Sequence, residues 1–94
     1  MVLTEKEELE LLKDACRQSF EVLYHRYSGK LYNFMMKVSK GDSYTAEELV
    51  QRTFIKVWET KEYINPNKSF ISYLCTSMLY SKYQEYYYIF LMLN

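Results

Sequence analysis

Bases, amides and aromatic rings alternate between Lys61 and Tyr73, and this stretch holds the side chains best suited to binding chemistry. Aromatic rings stack on unpaired nucleobases, and amide groups read the edges of bases that have left a duplex. The stretch is therefore a candidate single-stranded nucleic-acid site, although composition alone favours an ordinary loop packed against the core. The side chains concerned are those of Lys61, Tyr63, Asn65, Asn67, Lys68, Phe70 and Tyr73.

No combination of residues in the sequence matches a catalytic constellation. His25 is the only histidine and lies on the polar side of its predicted helix, where an exposed surface residue is the simplest interpretation. The glutamates between residues 5 and 10 are typical of a solvated helix, and no glycine-rich loop exists to bind a phosphate. We therefore expect a protein that is not an enzyme and has no cofactor.

The two cysteines and one histidine are too few for a four-ligand zinc site of these residue types within one chain. They are also too few to suggest a framework of disulfides. We expect no metal site, and we expect Cys16 and Cys75 to be reduced thiols, because cysteines in cytosolic proteins seldom pair.

The composition predicts one all-α domain over residues 1–94, folded as a compact bundle of three to four helices. Hydrophobic residues make up 49% of the chain, and only two glycines and one proline interrupt it. No apolar run is long enough to span a bilayer, and the N-terminus is acidic rather than a basic leader. We therefore expect a soluble, cytoplasmic protein.

The formal net charge is zero but is unevenly distributed. Residues 1–21 carry six acids and three bases, whereas residues 22–94 carry six acids and nine bases. This uneven charge distribution gives only a weak electrostatic field around the chain. Such a field does not favour tight binding to duplex DNA by the chain alone. A nucleic-acid role therefore requires a larger basic partner.

A helix that contains residues 46–58 and runs to about Lys61 is the element that must present any protein-binding surface, because it has two distinct faces. Its apolar stripe consists of Ala46, Leu49, Val50, Phe54, Val57 and Trp58. The opposite face carries Glu48, Gln51, Arg52 and Glu59 around the aliphatic Ile55. Such a helix can meet a second protein on its polar side, although a lone surface aliphatic residue is the simpler interpretation of Ile55.

Local signals place the helices that precede this one. Thr4 and Glu7 fit a capping box at the start of a first helix, and Asp14 suits its end. A long amphipathic pattern then predicts a helix from about Arg17 to Lys40, which Gly41 closes.

At two helix starts the sequence offers more than one candidate for the N-cap residue. The candidate caps of the helix over residues 46–58 are Asp42, Ser43 and Thr45, the last with Glu48 as a second capping box. The candidate caps of the last helix are Asn65, with Pro66 in the first position, and Ser69, with Phe70 in the first position. Beyond these, residues 86–93 are uncharged and apolar or aromatic on every side of a helix. That segment must be buried, shared with another copy or disordered.

The order of five motifs along the chain is more specific than any one of them. The motifs are Leu11-Leu12-Lys13-Asp14, Ser19 to Tyr27, Leu31-Tyr32-Asn33-Phe34, Ala46 to Trp58, and Phe70-Ile71-Ser72-Tyr73-Leu74. Over residues 9–76 the chain resembles the N-terminal (region 2) domain of bacterial RNA polymerase sigma factors of the extracytoplasmic-function (ECF) type. The resemblance implies a transcription initiation factor domain with a sigma region 2-like helical fold.

The resemblance also implies two partners. The helix over residues 46–58 would dock on the clamp coiled coil of the largest subunit of core RNA polymerase, while Phe54 and Trp58 would hold it to the core. The polymerase-binding residues would be Glu48, Leu49, Gln51, Arg52 and Ile55, of which Leu49 also lies on the apolar stripe. The loop and last helix would capture unpaired bases of the promoter minus-ten element on the non-template strand. The DNA-binding residues would be Lys61, Asn65, Asn67, Lys68 and Tyr73, and an anti-sigma factor would be a further partner.

The sequence departs from the family pattern in three places. Arg52 stands where the family usually has an acid, and Tyr73 replaces a common tryptophan. After residue 77 a tyrosine-rich segment replaces the usual basic helix, with Lys82 as the only base beyond Lys68. We therefore expect a truncated or frame-shifted sigma domain that lacks the helix-turn-helix domain for the minus-thirty-five element. The alternative is an interaction domain that docks on polymerase, or self-associates through residues 86–94, without reading DNA.

Overall fold

The computed structural model describes residues 2–93, without the side chains of residues 85–90 and 93. Four α-helices and one short 3-10 turn follow one another along the chain. They are α1 (Glu5–Lys13), α2 (Arg17–Val38), α3 (Ser43–Glu59), the 3-10 turn η1 (Lys61–Tyr63) and α4 (Phe70–Leu93). Residues 2–93 contain no strand. The predicted all-α bundle is confirmed.

The first helix begins and ends where the sequence predicts. The Glu7 N–H donates to the Thr4 hydroxyl (3.2 Å), and the Thr4 N–H donates to the Glu7 carboxylate (3.1 Å), so the capping box is formed. This contact also lowers the pKa of Glu7, because the backbone N–H and hydroxyl of Thr4 favour the charged carboxylate. Asp14 caps the other end, and Ala15 adopts a left-handed conformation with φ 63° that turns the chain into α2.

Asp42 is the cap that α3 uses. Its carboxylate accepts from the N–H (3.1 Å) and the hydroxyl (2.6 Å) of Thr45. The predicted alternative caps, Ser43 and Thr45, are wrong because both lie inside the first turn of α3. Before this cap, Lys40 (φ 58°) and Gly41 (φ 89°) are both left-handed, and the Gly41 N–H donates to the Met36 carbonyl at 2.8 Å. The end of α2 is therefore closed by Lys40 together with Gly41.

Ser69 is the cap of α4. Its hydroxyl accepts from the Ser72 N–H at 3.3 Å, and the helix starts at Phe70. The alternative start at Pro66 is wrong, because the Asn65 side chain instead accepts from the Asn67 N–H (2.9 Å) within the loop. The loop over residues 64–69 therefore has its own hydrogen-bonded turn.

The core lies where one face of each helix meets the others. α2 packs against α1 and α3, and α3 packs against α4. The predicted apolar stripe of α3 is buried, except that Trp58 is half-buried. The remaining buried apolar residues are Leu9, Leu12, Leu23, Tyr27, Leu31, Met35, Ile64, Phe70, Leu74 and Met78.

α4 continues past Met78, which is its last buried residue among the side chains that the structure describes. Met78 is buried, whereas Tyr80 and Tyr83 are exposed, and so are Leu91 and Met92 near its end. The predicted self-associating segment, residues 86–94, lies for the most part outside the described side chains. Among the described residues, no helix has both the length and the apolar character that a membrane span needs.

Candidate protein-binding and nucleic-acid interfaces

The polar face of α3 is accessible. Gln51 is exposed, and Ile55 is 58% exposed at the centre of this face. Glu48 and Arg52 form an i,i+4 ion pair along the same face. A solvated pair of this type contributes only about 0.3–0.5 kcal/mol to stability. Leu49 is only 3% exposed and lies in the core.

Three residues of this face, Gln51, Ile55 and Glu59, also line a groove of about 510 Å³ between α2 and α3. Its aromatic wall packs edge to face, with ring centroids 5.3 Å apart for Phe20 and Trp58 and 5.0 Å apart for Tyr24 and Phe54. Arg17 and Glu59 supply the charged lining. Interlocked rings of this kind give a groove whose shape is largely pre-formed.

The groove continues along the two helices. A second cavity of about 290 Å³ shares Tyr24 and Gln51 with the first and extends to Tyr32 and Glu47. Together they form one cleft, named here the α2/α3 cleft. Sequence reasoning missed it, because the spacing of Phe20 and Tyr24 indicates core positions, whereas both rings are only half-buried.

A separate groove of about 550 Å³ lies between the loop and the start of α4, and it is named here the loop groove. Three predicted DNA-binding residues line it together, namely Asn65, Lys68 and Tyr73. Tyr63, which is 81% exposed, also lines it. The arrangement offers aromatic faces, an amide and an ammonium group within one concave site, which are the groups that a flipped or unpaired base needs.

Lys61 and Asn67 do not line this groove. The Lys61 ammonium lies 4.4 Å from the centroid of the Trp58 ring and donates to the Trp58 carbonyl at 3.0 Å. A cation over an aromatic face is held there by the ring quadrupole, so this ammonium belongs to the end of α3. Asn67 is exposed in the loop, where its N–H closes the turn with Asn65.

A partly buried polar cluster on α1 and α2 supports the loop groove from below. The Tyr27 hydroxyl donates to the Glu5 carboxylate, and burial together with this bond raises the pKa of Tyr27 to about 12. Beside it, Arg26 donates to both carboxylate oxygens of Glu8, at 2.7 and 2.9 Å. These bonds and the charge of Glu8 raise the pKa of Arg26, because they favour the guanidinium. The Tyr27 ring lies edge-on to the Phe70 ring, with the two ring centroids 5.7 Å apart.

The cysteines and the histidine are dispersed. Cys16 and Cys75 are free thiols, and burial raises the pKa of Cys75. His25 is exposed, and its ring lies edge-on to Tyr24. Among the described residues, no group of histidine, cysteine, aspartate and glutamate side chains could hold a metal ion.

Comparison with known proteins gives one match. Residues 23–84 match the family model described as Sigma-70 region 2, which is about two thirds of the chain. The match begins later than the predicted span of residues 9–76 and ends beyond it. It includes α3, η1, the loop groove and the first part of α4, whereas α1 lies outside it. No curated protein and no solved structure matches the chain.

Proposed function

The chain belongs to the sigma-70 region 2 family, and we propose that it is a region 2 domain of the ECF type that binds both polymerase and the minus-ten element. Sigma-70 region 2 has a general role in RNA polymerase binding and promoter melting. The finer assignment is that α3 and the α2/α3 cleft receive polymerase, while the loop groove receives DNA. In this proposal residues 1–94 act as one non-catalytic domain in the cytoplasm.

The polymerase contact is assigned to the exposed face of α3. Helical partners bind by laying an apolar stripe into a groove beside a polar rim, and the α2/α3 cleft has both features. Ile55 is the anchor, because it is an exposed aliphatic side chain at the edge of an aromatic groove. The partner is the clamp coiled coil of the largest polymerase subunit, with Gln51 as a hydrogen-bonding contact.

The charges on α3 affect how fast this contact forms. Glu48 and Arg52 neutralise each other along the helix, so the face presents a dipole rather than the acid that the family usually has at position 52. Rim charges of this kind change the association rate more than the lifetime of a complex. Leu49 is left out of the contact surface and supports it from the core.

The minus-ten contact is assigned to the loop groove. Tyr63 and Tyr73 supply ring faces for stacking, and Lys68 supplies charge for the phosphate backbone. The Asn65 amide oxygen already accepts from Asn67, which leaves its amide nitrogen as the donor to a base edge. Asn67 flanks this groove, whereas Lys61 is left out because its ammonium is held on Trp58.

The family match over residues 23–84 is the observation that carries the proposal. Two titrations of the full chain test it, one with a polymerase clamp coiled-coil fragment and one with a single-stranded minus-ten oligonucleotide. Saturable binding to both is expected. Failure to bind the clamp fragment would contradict the polymerase assignment, and failure to bind the oligonucleotide would contradict the DNA assignment.

An interaction domain that docks or self-associates without reading DNA is the second candidate function. It is favoured by the single base beyond Lys68 and by the exposed Tyr80, Tyr83, Leu91 and Met92 on α4. Gel filtration of the chain with and without residues 86–94 tests it. A dimer that becomes a monomer on deletion favours self-association through this segment, whereas a monomer in both cases contradicts self-association.

An anti-sigma factor is proposed as a further partner at the α2/α3 cleft. A regulator that covers Gln51 and Ile55 would exclude polymerase, since both residues lie on the face assigned to docking. Competition between such a regulator and the clamp fragment is the expected behaviour, and simultaneous binding of both would contradict it.

A further inference from the structure

Phe70, the first residue of α4, is the middle ring of a chain that runs from the core to the loop groove. It is 1% exposed and lies edge-on to Tyr27 of α2, with centroids 5.7 Å apart. On its other side it lies nearly parallel to Tyr73, with centroids 6.3 Å apart and planes at 17°. Close-packed rings do not shift one at a time, because each displacement creates a void or a clash at its neighbour. The position of Tyr73 is therefore tied to that of Tyr27.

Tyr27 is in turn held by α1. Its hydroxyl donates to the Glu5 carboxylate, while Arg26, the preceding residue, binds Glu8 with both terminal nitrogens. Lys30 lies over the Tyr27 ring, 5.7 Å from its centroid. These contacts fix the ring against which Phe70 packs, so α1 acts on Tyr73 through two intervening rings.

α1 also supports the opposite wall of the same groove. It packs directly against η1, whose last residue is the exposed Tyr63. One helix therefore contacts the supports of both aromatic walls, at η1 for Tyr63 and through Tyr27 and Phe70 for Tyr73. This helix lies outside the matched residues 23–84, so its contribution is not part of what the family match describes.

We propose that α1 sets the spacing between the Tyr63 and Tyr73 walls of the loop groove, with Tyr27 and Phe70 as positioning residues. The inference rests on the proposed function, because a fixed spacing matters only if a base enters between these walls. Neither Tyr27 nor the Glu5 carboxylate lines the groove, so neither touches the base. Their effect on binding reaches the base through Phe70 and Tyr73, which both line the groove, and through the contact of α1 with η1.

Binding of the full chain to a short mixed-sequence DNA strand that contains 2-aminopurine tests this inference. The fluorescence of this base is quenched when it stacks, so the quench at saturation reports stacking geometry separately from affinity. Tyr27→Phe deletes only the hydroxyl, whereas Glu5→Ala deletes its acceptor and also the carboxylate that lies 3.6 Å from the Arg26 guanidinium. Each variant is expected to lower the affinity for DNA about fivefold and to reduce the quench. A fivefold loss is smaller than the full free energy of a hydrogen bond to a charged group, because the bond acts on the base only indirectly. The double variant is expected to lose no more than Glu5→Ala alone, because that substitution already removes the bond that Tyr27→Phe breaks.

Glu10→Ala is the matched control, since Glu10 is an exposed glutamate on the same helix. It is expected to bind like the wild type. Binding of the clamp fragment is expected to stay unchanged in all variants, which separates a positioning effect from a general loss of folded protein.

If the wild type binds, and Tyr27→Phe and Glu5→Ala bind with the same affinity and the same quench, the inference is overturned and the proposed function stands. Losses that multiply in the double variant, or that are matched by an equal loss of clamp binding, would also overturn it. No binding by the wild type would overturn the DNA assignment and this inference together.

Discussion

Arg26 on α2 binds the Glu8 carboxylate on α1 through both terminal nitrogens, at 2.7 and 2.9 Å, and Glu8 is only 5% exposed. The two partners differ in their access to water, because the Arg26 side chain is 37% exposed. Removing the arginine leaves a buried carboxylate without a counter-ion, whereas removing the carboxylate leaves a guanidinium that water can reach.

Arg26→Met is therefore expected to destabilise the fold more than Glu8→Gln does. Breaking a fully buried pair by removing one partner costs about 3–5 kcal/mol, and the arginine variant is expected to cost about 2 kcal/mol, because the Arg26 side chain is 37% exposed. The glutamine keeps an acceptor for the arginine, so its cost is expected to be about 1 kcal/mol. Urea unfolding at neutral pH measures both variants, and a larger loss in Glu8→Gln would contradict this assignment of the buried charge.

Substitutions on the outer face of α3 are expected to weaken polymerase docking without weakening the fold. Ile55→Asp places a charge on the anchor, and Glu48→Lys reverses one rim charge beside Arg52. We expect Ile55→Asp to lower the affinity for the clamp fragment about tenfold or more, in the range of an interface hot spot. Titration of the clamp fragment into each variant provides the measurement.

The chain offers matched controls for both substitutions. Val22 is an aliphatic residue on α2 with 46% exposure that does not line the α2/α3 cleft, and Glu10 is an exposed glutamate on α1. Val22→Asp and Glu10→Lys are expected to bind the clamp fragment like the wild type. Equal losses in the controls would show that charge alone, and not the face of α3, decides binding.

Lys68 and Lys61 are expected to behave differently towards DNA, although both are lysines of the predicted site. Lys68→Ala removes the proposed phosphate contact. The slope of log affinity against log salt concentration is therefore expected to become shallower by about 0.7, the value for one contact to a single strand. Lys61→Ala is expected to leave that slope unchanged, because the Lys61 ammonium is held by Trp58. Affinities measured over a range of salt concentrations decide between the two lysines, and an equal fall in both would return Lys61 to the DNA-binding set.

Alkaline pH is expected to remove the stabilising effect of the Tyr27 hydroxyl. Its pKa is raised from 10.0 in an unfolded chain to about 12 in the fold, so the folded state holds the proton more tightly. The contribution to stability is therefore complete below pH 10 and is lost as the pH rises towards 12. The stability gap between the wild type and Tyr27→Phe is expected to narrow over this range in urea unfolding experiments. Tyr44→Phe, at an exposed position, is the control, and a gap that stays constant would contradict the raised pKa.

Local patterns made much of the helical framework predictable. Thr4 and Glu7 are three residues apart, and their reciprocal bonds need no information from the rest of the chain. Asp42 and Thr45 were harder to separate, because both carry cap-forming side chains and only the backbone shows which one lies outside the helix. Burial of the α3 stripe followed from its spacing alone, since a helix with one apolar face must pack that face.

The two grooves were less predictable, because they depend on how helices lie against one another. Phe20 and Tyr24 have the spacing of core residues, and only the packing of α2 against α3 leaves their rings half-buried on a cleft. The composition of the stretch around Lys61 predicts a solvent-facing lysine that contacts DNA. In the fold, however, the ring of Trp58, three residues earlier, holds the Lys61 ammonium. A composition pattern identifies which groups are present, whereas the fold decides which of them remain available to a ligand.

The contact between Lys61 and Trp58 has a thermodynamic consequence, because it joins two surfaces assigned to different partners. Trp58 lines the α2/α3 cleft, and Lys61 begins the short turn that ends at Tyr63 in the loop groove. A partner that displaces the indole therefore also perturbs the turn. If the proposed function holds, the two binding equilibria are linked, and any factor by which polymerase changes the affinity for DNA is the factor by which DNA changes the affinity for polymerase.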